Sequence, residues 1–284
     1  MATSDAAAVA SEAQTCRVCG DVTHFIFSTP VLGRQVRYFD CHACGYVQTE
    51  TPYWLQQAYE QPIGGADTGI MLRNQANVAR VATALMAVRR LRGRVLDMGG
   101  GFGILVRMLR DLGIDAHWSD KHCKNLLAQG FESDGGDFDL VTAFEVVEHL
   151  EDPVQELRAM LEVAPTVLIS TDFAPHAQAL TPAWWYLVPE FGQHIGFLRE
   201  STLDRIAREL GCRYATDGRS VHLLSRDGVG LRRWAALRRF TGVARTLTRG
   251  MLQSRTNTDF DLARRRMASH PRGLGLQCER DDPV

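Results

Sequence analysis

The chain has 284 residues, of which 45% are hydrophobic and 8% aromatic, and its formal net charge is −1. This length suits one large globular domain with additions, and the near-neutral charge argues against a nucleic-acid footprint over the whole chain. No run reaches the roughly 18 apolar residues of a membrane-spanning helix. Residues 1–14 lack the basic and apolar regions of a signal peptide. We therefore expect a cytoplasmic protein with a disordered tail over residues 1–14.

Residues 15–50 carry two cysteine pairs, Cys16-x-x-Cys19-Gly and Cys41-x-x-Cys44-Gly, on either side of two short β-type runs. The glycine after each pair permits a turn whose N–H groups point at thiolate. Four thiolates make a closed structural zinc site, and a core this small needs a metal to be stable. The sequence predicts a zinc-binding module. Disulfides, disfavoured in a reducing cytoplasm, or chance spacing are the alternatives.

Residues 51–93 are predicted to be a linker followed by a helical lid. Pro62 and the Gly64-Gly65 pair favour a flexible joint. Over residues 68–91 apolar side chains recur at helical spacing, with arginines between them. We expect this long helix to lead into a sheet and to cover a cofactor.

Residues 94–225 alternate between strand and helix patterns. Apolar runs predict strands at 95–98, 114–119, 138–144 and 166–171. Amphipathic segments predict helices at 104–112, 126–129, 153–163 and 201–210. This alternation predicts an α/β fold with a doubly wound, mainly parallel sheet.

Two details refine this sheet. Asp217-Gly218 lies between two β-type runs and predicts that the sheet closes with an antiparallel hairpin. Only seventeen residues separate Asp120 from Phe138, which is short for a helix, a strand and a second helix. We therefore expect the strand between them to be abbreviated.

A glycine-rich turn, Asp97-x-Gly99-x-Gly101-x-Gly103, joins the first of these strands to the next helix. Glycine lets the backbone turn sharply and approach a ligand, and the helix N-terminus offers N–H groups to a carboxylate or phosphate. The dinucleotide fingerprint G-x-G-x-x-G has its acid about 20 residues later, whereas here an acid precedes the glycines. The motif resembles the first motif of class I S-adenosylmethionine (SAM) methyltransferases, with their Rossmann-like sheet.

The resemblance implies that SAM is the cofactor and that Asp97 lies near its methionine amino group. The three glycines would shape the loop. Asp120 ends the second strand, where a carboxylate can accept hydrogen bonds from both ribose hydroxyls; a solvated turn acid is the alternative. Phe131 and Phe144 are candidates for flanking the adenine, and a place in the core is the alternative for each.

A second motif, Glu145-Val146-Val147-Glu148-His149, follows the third predicted strand. It resembles the post-strand motif of ubiquinone-pathway O-methyltransferases and small-RNA 2′-O-methyltransferases. In some of these families the two acids and the histidine hold a divalent cation, and these residue types suit one. In others the same residues only order the loop beneath the cofactor, so Glu145 is also a predicted cofactor-binding residue.

Residues 172–198 follow the last parallel strand and contain Trp184-Trp185-Tyr186, Glu190 and His194. Exposed aromatic residues are costly, so the trio is expected to line a pocket or a partner contact. The segment resembles the active site of sugar C-methyltransferases that also carry an N-terminal four-cysteine zinc domain, a resemblance that covers residues 16–224.

That resemblance implies acid–base roles for His194 and Glu190. An unperturbed histidine titrates near neutrality, so His194 is the candidate general base. Glu190 would orient His194 or bind a substrate hydroxyl. The alternative is that His194 only fixes the loop, or joins a metal with Glu145, Glu148 and His149.

Residues 226–284 form a basic C-terminal segment. Between Leu231 and Gly273 there are eleven arginines and two acids, a balance of +9. Apolar residues at steps of three or four predict an amphipathic helix, which would suit an anionic membrane, a partner or nucleic acid. A solvated, partly disordered tail is the alternative.

Together these features predict a SAM-dependent methyltransferase acting on a small molecule, such as a sugar or another biosynthetic intermediate. An RNA methyltransferase that uses the basic segment is one alternative. A non-catalytic zinc-containing scaffold is the other. The sequence leaves open whether the chain forms a homo-oligomer.

Overall fold

A computed structural model describes residues 14–269. Residues 1–13 and 270–284, which include nearly all of the predicted N-terminal tail and the end of the basic segment, lie outside the described residues. Within residues 14–269, no helix is both long enough and apolar enough to cross a membrane.

Between residues 94 and 225 strands and helices alternate, as the sequence predicts. Its strands are β1 His24–Val31, β2 Arg34–Asp40, β3 Val47–Thr49, β4 Arg94–Met98, β5 Asp115–Ser119, β6 Leu140–Phe144, β7 Thr166–Ser170, β8 Gly196–Phe197, β9 Arg213–Thr216 and β10 Val221–Ser225. Its α-helices are α1 Leu55–Ala58, α2 Ile70–Ala87, α3 Ile104–Asp111, α4 Pro153–Val163, α5 Glu200–Glu209, α6 Leu231–Leu237, α7 Thr241–Met251 and α8 Thr256–Ser269.

The main sheet has six strands in the order β5-β4-β6-β7-β10-β9. The first four are parallel, and β10 pairs antiparallel with both β7 and β9. The predicted closing hairpin is therefore confirmed. Glu132 forms an isolated parallel bridge with Trp118 at the outer edge of β5, which is the abbreviated strand expected from the short spacing.

The predicted helices of this domain form close to their expected bounds, with one exception. Pro153 begins α4 behind Asp152, whose carboxylate accepts the Gln155 N–H at 3.0 Å. The prediction of a helix at 126–129 is wrong, because residues 126–128 form bends and residue 129 lies in a turn. The N–H groups of Leu126 and Leu127 donate instead to the carbonyl of Phe102, so this segment covers the glycine turn rather than bonding within itself.

A second, four-stranded sheet has the order β1-β2-β3-β8. Its first three strands come from the cysteine module, and β8 comes from the segment 172–198. Val47 pairs with Phe197 and Gln48 with Gly196. The sheet thus joins the module to the segment in which the acid–base residues were predicted.

The described part of the basic segment is helical and packed on the main domain. Trp234 is buried in the core beside α2 and α3, and α7 packs against α2. The apolar spacing predicted one amphipathic helix; instead a 3₁₀ turn at 238–240 separates α6 from α7. Apart from Trp234, the apolar side chains of that pattern are exposed, namely Leu237, Phe240, Val243 and Leu247.

Candidate active site

The four predicted metal ligands, Cys16, Cys19, Cys41 and Cys44, form one compact cluster. Their sulfur atoms lie within 4.8 Å of one another; Cys16 Sγ is 3.6 Å from Cys44 Sγ, and Cys19 Sγ is 3.5 Å from Cys41 Sγ. All four are free thiols rather than disulfides. A zinc–sulfur bond of about 2.3 Å in a tetrahedron places sulfurs about 3.8 Å apart, so the cluster fits a structural zinc ion.

A cavity of about 1280 Å³ opens at the carboxyl ends of β4, β5 and β6. This is where open α/β sheets bind ligands. Its wall is formed by residues between 55 and 77, the glycine turn, the end of β5, the turn after β6 and the segment 185–194.

The glycine turn forms the floor of this cavity. Gly99, Gly101 and Gly103 have φ angles of +71°, +54° and +83°, in the left-handed region that side chains disfavour. Gly103 also caps α3, so the free N–H groups of the first helical turn face the turn. The spacing of the glycines therefore has a conformational cause.

Asp97 is 3% exposed at the end of β4 and also lines the cavity. Its carboxyl accepts the Thr142 hydroxyl at 2.7 Å. Burial raises the pKa of Asp97 to about 7, because the charged form loses hydration. A cation bound beside this carboxyl would favour its ionised form.

Asp120 lines the cavity at the end of β5 and holds two loops together. It accepts the N–H groups of Gly101 at 2.9 Å, His122 at 2.7 Å and Cys123 at 2.8 Å. The glycine turn is therefore tied to the carboxylate that was predicted to bind ribose.

The two phenylalanines predicted to flank the adenine occupy different places in the structure. Phe144 lines the cavity. Phe131 is not among the lining residues; its ring lies 3.6 Å from the Arg110 guanidinium carbon in a cation–π contact. Of the two, the structure favours Phe144 for a cofactor contact.

Glu145 and Glu148 share the hydroxyl of Tyr186. That oxygen lies 3.0 Å from Glu145 Oε2 and 2.5 Å from Glu148 Oε1, while Ser170 donates to Glu145 Oε1 at 2.5 Å. Burial raises the pKa of both acids, and for Glu148 the charge of Glu145 adds to it. Because one hydroxyl carries one proton, a protonated carboxyl satisfies this triad best.

His194 lines the cavity and is oriented by a backbone carbonyl. Its Nδ1 lies 2.6 Å from the carbonyl oxygen of Tyr186, and because a carbonyl only accepts, Nδ1 carries the proton. Nε2 is then left with a free lone pair. Burial lowers the pKa of His194 to about 4, so the ring is neutral near pH 7.

Glu190 does not take the place expected for an orienting acid. It is exposed and is not among the cavity-lining residues. The carbonyl of Tyr186, in the preceding turn, holds His194 instead.

A second group of potential metal ligands includes His194 itself. Ligand atoms of Glu148, His149 and His194 lie within 4.8 Å of one another. Glu148 Oε2 and His149 Nε2 are buried and have no hydrogen-bond partner. Two of the three predicted cation ligands, Glu148 and His149, lie in this cluster together with His194, as the alternative for His194 has it, whereas Glu145 is bonded to Ser170 and Tyr186. The cation site stays a prediction.

Tyr59 is a site residue that the sequence analysis missed. Its ring stacks on His122 with centroids 3.9 Å apart, and its hydroxyl lies 3.2 Å from His149 Nδ1. Nothing in the linker sequence indicates this contact, since His149 is ninety residues away. Trp185 and Tyr186, from the predicted aromatic trio, also line the cavity.

The charged residues that line the cavity are mostly acidic. Among the described residues that line it, eight are acidic: Glu60, Asp67, Asp97, Asp120, Glu145, Glu151, Asp152 and Glu156. Two are cations, Arg73 and Lys121. Both are paired, Arg73 with Asp67 at 2.5 Å and Lys121 with Glu156 at 2.8 Å. The lining that the structure describes therefore has no unpaired lysine or arginine for a bound anion.

A sequence profile described as a methyltransferase domain matches residues 71–216. No curated protein sequence matches the chain. Magnesium protoporphyrin IX methyltransferase from Synechocystis PCC 6803, solved with bound S-adenosylhomocysteine (SAH), is 17% identical, with 62% of this chain and 95% of that chain covered and a TM-score of 0.42.

Mitomycin 7-O-methyltransferase is also 17% identical, with 61% of this chain and 60% of that chain covered and a TM-score of 0.40. These structural similarities are too weak to assign a cofactor or an acceptor. The profile, in contrast, spans just over half of the chain, from α2 to β9. The chain therefore belongs to the methyltransferase-domain family and is a methyltransferase.

Proposed function

We propose that this chain transfers the methyl group of SAM to an uncharged or cationic small molecule. The observation that carries this proposal is the glycine turn, tied to Asp120 and lying over the buried Asp97 at the carboxyl ends of β4 and β5. The sulfonium of SAM supplies an electrophilic methyl group. The protein has to align a nucleophile with that group, accept its proton and exclude water.

The residues proposed to bind SAM have complementary roles. Asp97 would hold the ammonium group of SAM, whose charge would offset the burial of the carboxylate. The N–H groups at the start of α3 suit the methionine carboxylate. Asp120 retains acceptor capacity for the ribose hydroxyls. Phe144 and Glu145 would lie beside the adenine ring.

His194 is the proposed general base. With Nδ1–H bonded to the Tyr186 carbonyl, Nε2 is the atom that would accept the proton of an acceptor hydroxyl. Burial lowers the pKa of His194 to about 4, which keeps this lone pair available at neutral pH but limits its basicity. The Tyr186 hydroxyl and the acids beside it order the same wall of the cavity.

The charge of the cavity supports an acceptor without phosphate groups. The described lining has eight acidic side chains and two cations, each paired with one of these acids, so the ionised acids in excess would repel a polyanion. This balance favours a small-molecule acceptor over RNA or a sugar nucleotide. Trp185, 65% exposed at the cavity, offers a ring on which an aromatic or sugar face can stack.

Binding of SAH to the zinc-loaded full chain, measured by calorimetry, tests the cofactor assignment. We expect Asp120→Asn to weaken binding at least tenfold, since the ribose loses a charged acceptor. Asp204→Asn is the matched control, because Asp204 is exposed on α5. Absence of SAH binding by the unmodified chain would overturn the proposal.

A divalent transition-metal ion at Glu148, His149 and His194 is a second candidate for this wall. It is favoured by the two unpartnered buried ligand atoms and by the carboxylate and imidazole donor set. Tyr59 and the Tyr186 carbonyl hold the other ring nitrogens, as is usual around bound metals. In that case His194 would be a ligand and not the base.

Metal analysis separates these two roles for His194. If a metal occupies the cluster, His149→Ala should remove one equivalent of bound metal while the equivalent at the four cysteines remains. An unchanged metal content would leave His194 as the base.

A further inference from the structure

Arg17 connects the cysteine cluster to the cavity. It lies between Cys16 and Cys19, and its guanidinium donates outside its own turn. The acceptors are the carbonyl oxygens of Thr49 at 2.6 Å, Glu50 at 3.1 Å and Ile195 at 3.3 Å. One charged side chain of the metal-binding turn therefore reaches the residue that follows His194.

The backbone of Ile195 is held from both sides. Its carbonyl accepts from Arg17 and from the N–H of Thr49 at 3.0 Å. Its own N–H donates to the carbonyl of Glu148 at 2.8 Å. Ile195 is fully buried. The position of His194 along the cavity wall thus depends on the cysteine module on one side and on the turn after β6 on the other.

The same segment has a second attachment to the module. The carbonyl of Cys44 accepts the hydroxyls of Ser201 at 3.0 Å and Thr202 at 2.9 Å. Arg199 donates to the carbonyl of Gly45 at 2.8 Å and forms an ion pair with Asp40 at 2.7 Å. Each cysteine pair therefore contacts one end of residues 195–202.

We propose that the cysteine module positions the active site, and that Arg17 is a positioning residue for His194. The proposal rests on the function proposed above, in which His194 acts on the acceptor. A base has to be held within about half an ångström of its working geometry, and His194 lies in an irregular segment outside the main sheet. The cysteine turn, held by a zinc ion when one is bound, would supply the rigid support that this segment lacks by itself.

The test compares Arg17→Met with Arg37→Met in the zinc-loaded full chain. Arg37 belongs to the same module and pairs with Glu50 at 2.8 Å, so it controls for loss of an arginine there. We expect Arg17→Met to raise amide hydrogen exchange over residues 194–198 by roughly tenfold, with one zinc retained. Arg37→Met should leave those amides unchanged.

A spectroscopic readout in two variants separates positioning from general stability. The nitrogen-15 signals of the His194 ring, assigned by their loss in His194→Gln, should shift in Arg17→Met because the Nδ1 hydrogen bond is disturbed. Arg17→Lys should restore the signals only in part, since lysine lacks the planar fork of donors. Unchanged exchange and unchanged ring signals in a zinc-loaded Arg17→Met variant would overturn the proposal.

Failure of the two proposals can be told apart. If SAH does not bind but Arg17→Met loosens residues 194–198, the cofactor assignment fails and the positioning role stands. If SAH binds equally to both arginine variants and only the exchange result is negative, the positioning role alone fails.

Discussion

Asp97 shows how burial changes the chemistry of one residue. Its carboxyl has a single side-chain donor, Thr142, and almost no contact with water. Burial consequently raises its pKa to about 7. A carboxyl whose pKa is higher in the folded than in the unfolded chain costs stability as the pH rises between those two values.

This sign leads to a prediction for Asp97→Asn in the ligand-free chain. Asparagine does not titrate, so the variant does not share this loss of stability. Its unfolding free energy relative to that of the unmodified protein should therefore be about 2–3 kcal/mol larger at pH 7.5 than at pH 5. Urea unfolding at both pH values measures the difference. A difference independent of pH would mean that Asp97 keeps its charge in the folded chain.

For single residues, the sequence indicated which side chains line the cavity more successfully than it indicated their hydrogen-bond partners. Asp97, Asp120 and Phe144 line the cavity as the resemblance implied, and their roles stay predictions. Glu190 was expected beside His194, but the structure gives that contact to the Tyr186 carbonyl. The Tyr186 carbonyl is a backbone acceptor eight residues from His194, and the pattern of side chains in the sequence cannot indicate such a contact.

Among the elements, the glycine turn and α3 form the unit most determined by local chemistry. Gly103 has a φ of +83°, and a Cβ there would lie 3.0 Å from the backbone nitrogen of Ala128. Both the conformation and the neighbouring segment therefore require glycine.

We expect Gly103→Ala to lower the unfolding free energy by about 1–2 kcal/mol and to weaken SAH binding. Gly65→Ala is its control, because a Cβ at Gly65 meets nothing within 4 Å. Thermal unfolding and SAH calorimetry on both variants measure these effects. Equal behaviour of the two would show that the turn adapts to a side chain.

The segment 126–129 shows where element prediction stops. Its apolar residues suggested a helix, but a few residues cannot nucleate one without support. The N–H groups of Leu126 and Leu127 instead donate hydrogen bonds to the Phe102 carbonyl, which only the folded glycine turn places nearby.

At the scale of the whole molecule, the C-terminal helices are part of the domain. Asp259 on α8 receives two hydrogen bonds from Arg110 and one from Arg107, each at 2.8 Å. The side chains of Arg110 and Asp259 are 4% and 3% exposed. This ion pair joins α8 to the helix that follows the glycine turn.

Asp259→Asn should therefore destabilise the chain by about 3 kcal/mol, because it leaves Arg110 buried without its main counter-charge. Asp261→Asn, on the exposed part of the same helix, is the matched control and should have little effect. Urea denaturation of both variants gives the comparison. A loss below about 1 kcal/mol would mean that Arg110 finds a sufficient partner in Asp115.

The sequence by itself determined the features that depend on neighbouring residues. These are the strand and helix alternation, the closing hairpin, the spacing of the cysteine pairs and the left-handed glycine turn, since each follows from backbone sterics or periodicity within a short stretch. Tertiary structure alone decided which distant groups meet: Arg17 and Ile195 are 178 positions apart, and Arg110 and Asp259 are 149 apart. Those contacts arise from packing, and packing also brought His194 within 4.8 Å of the ligand atoms of Glu148 and His149.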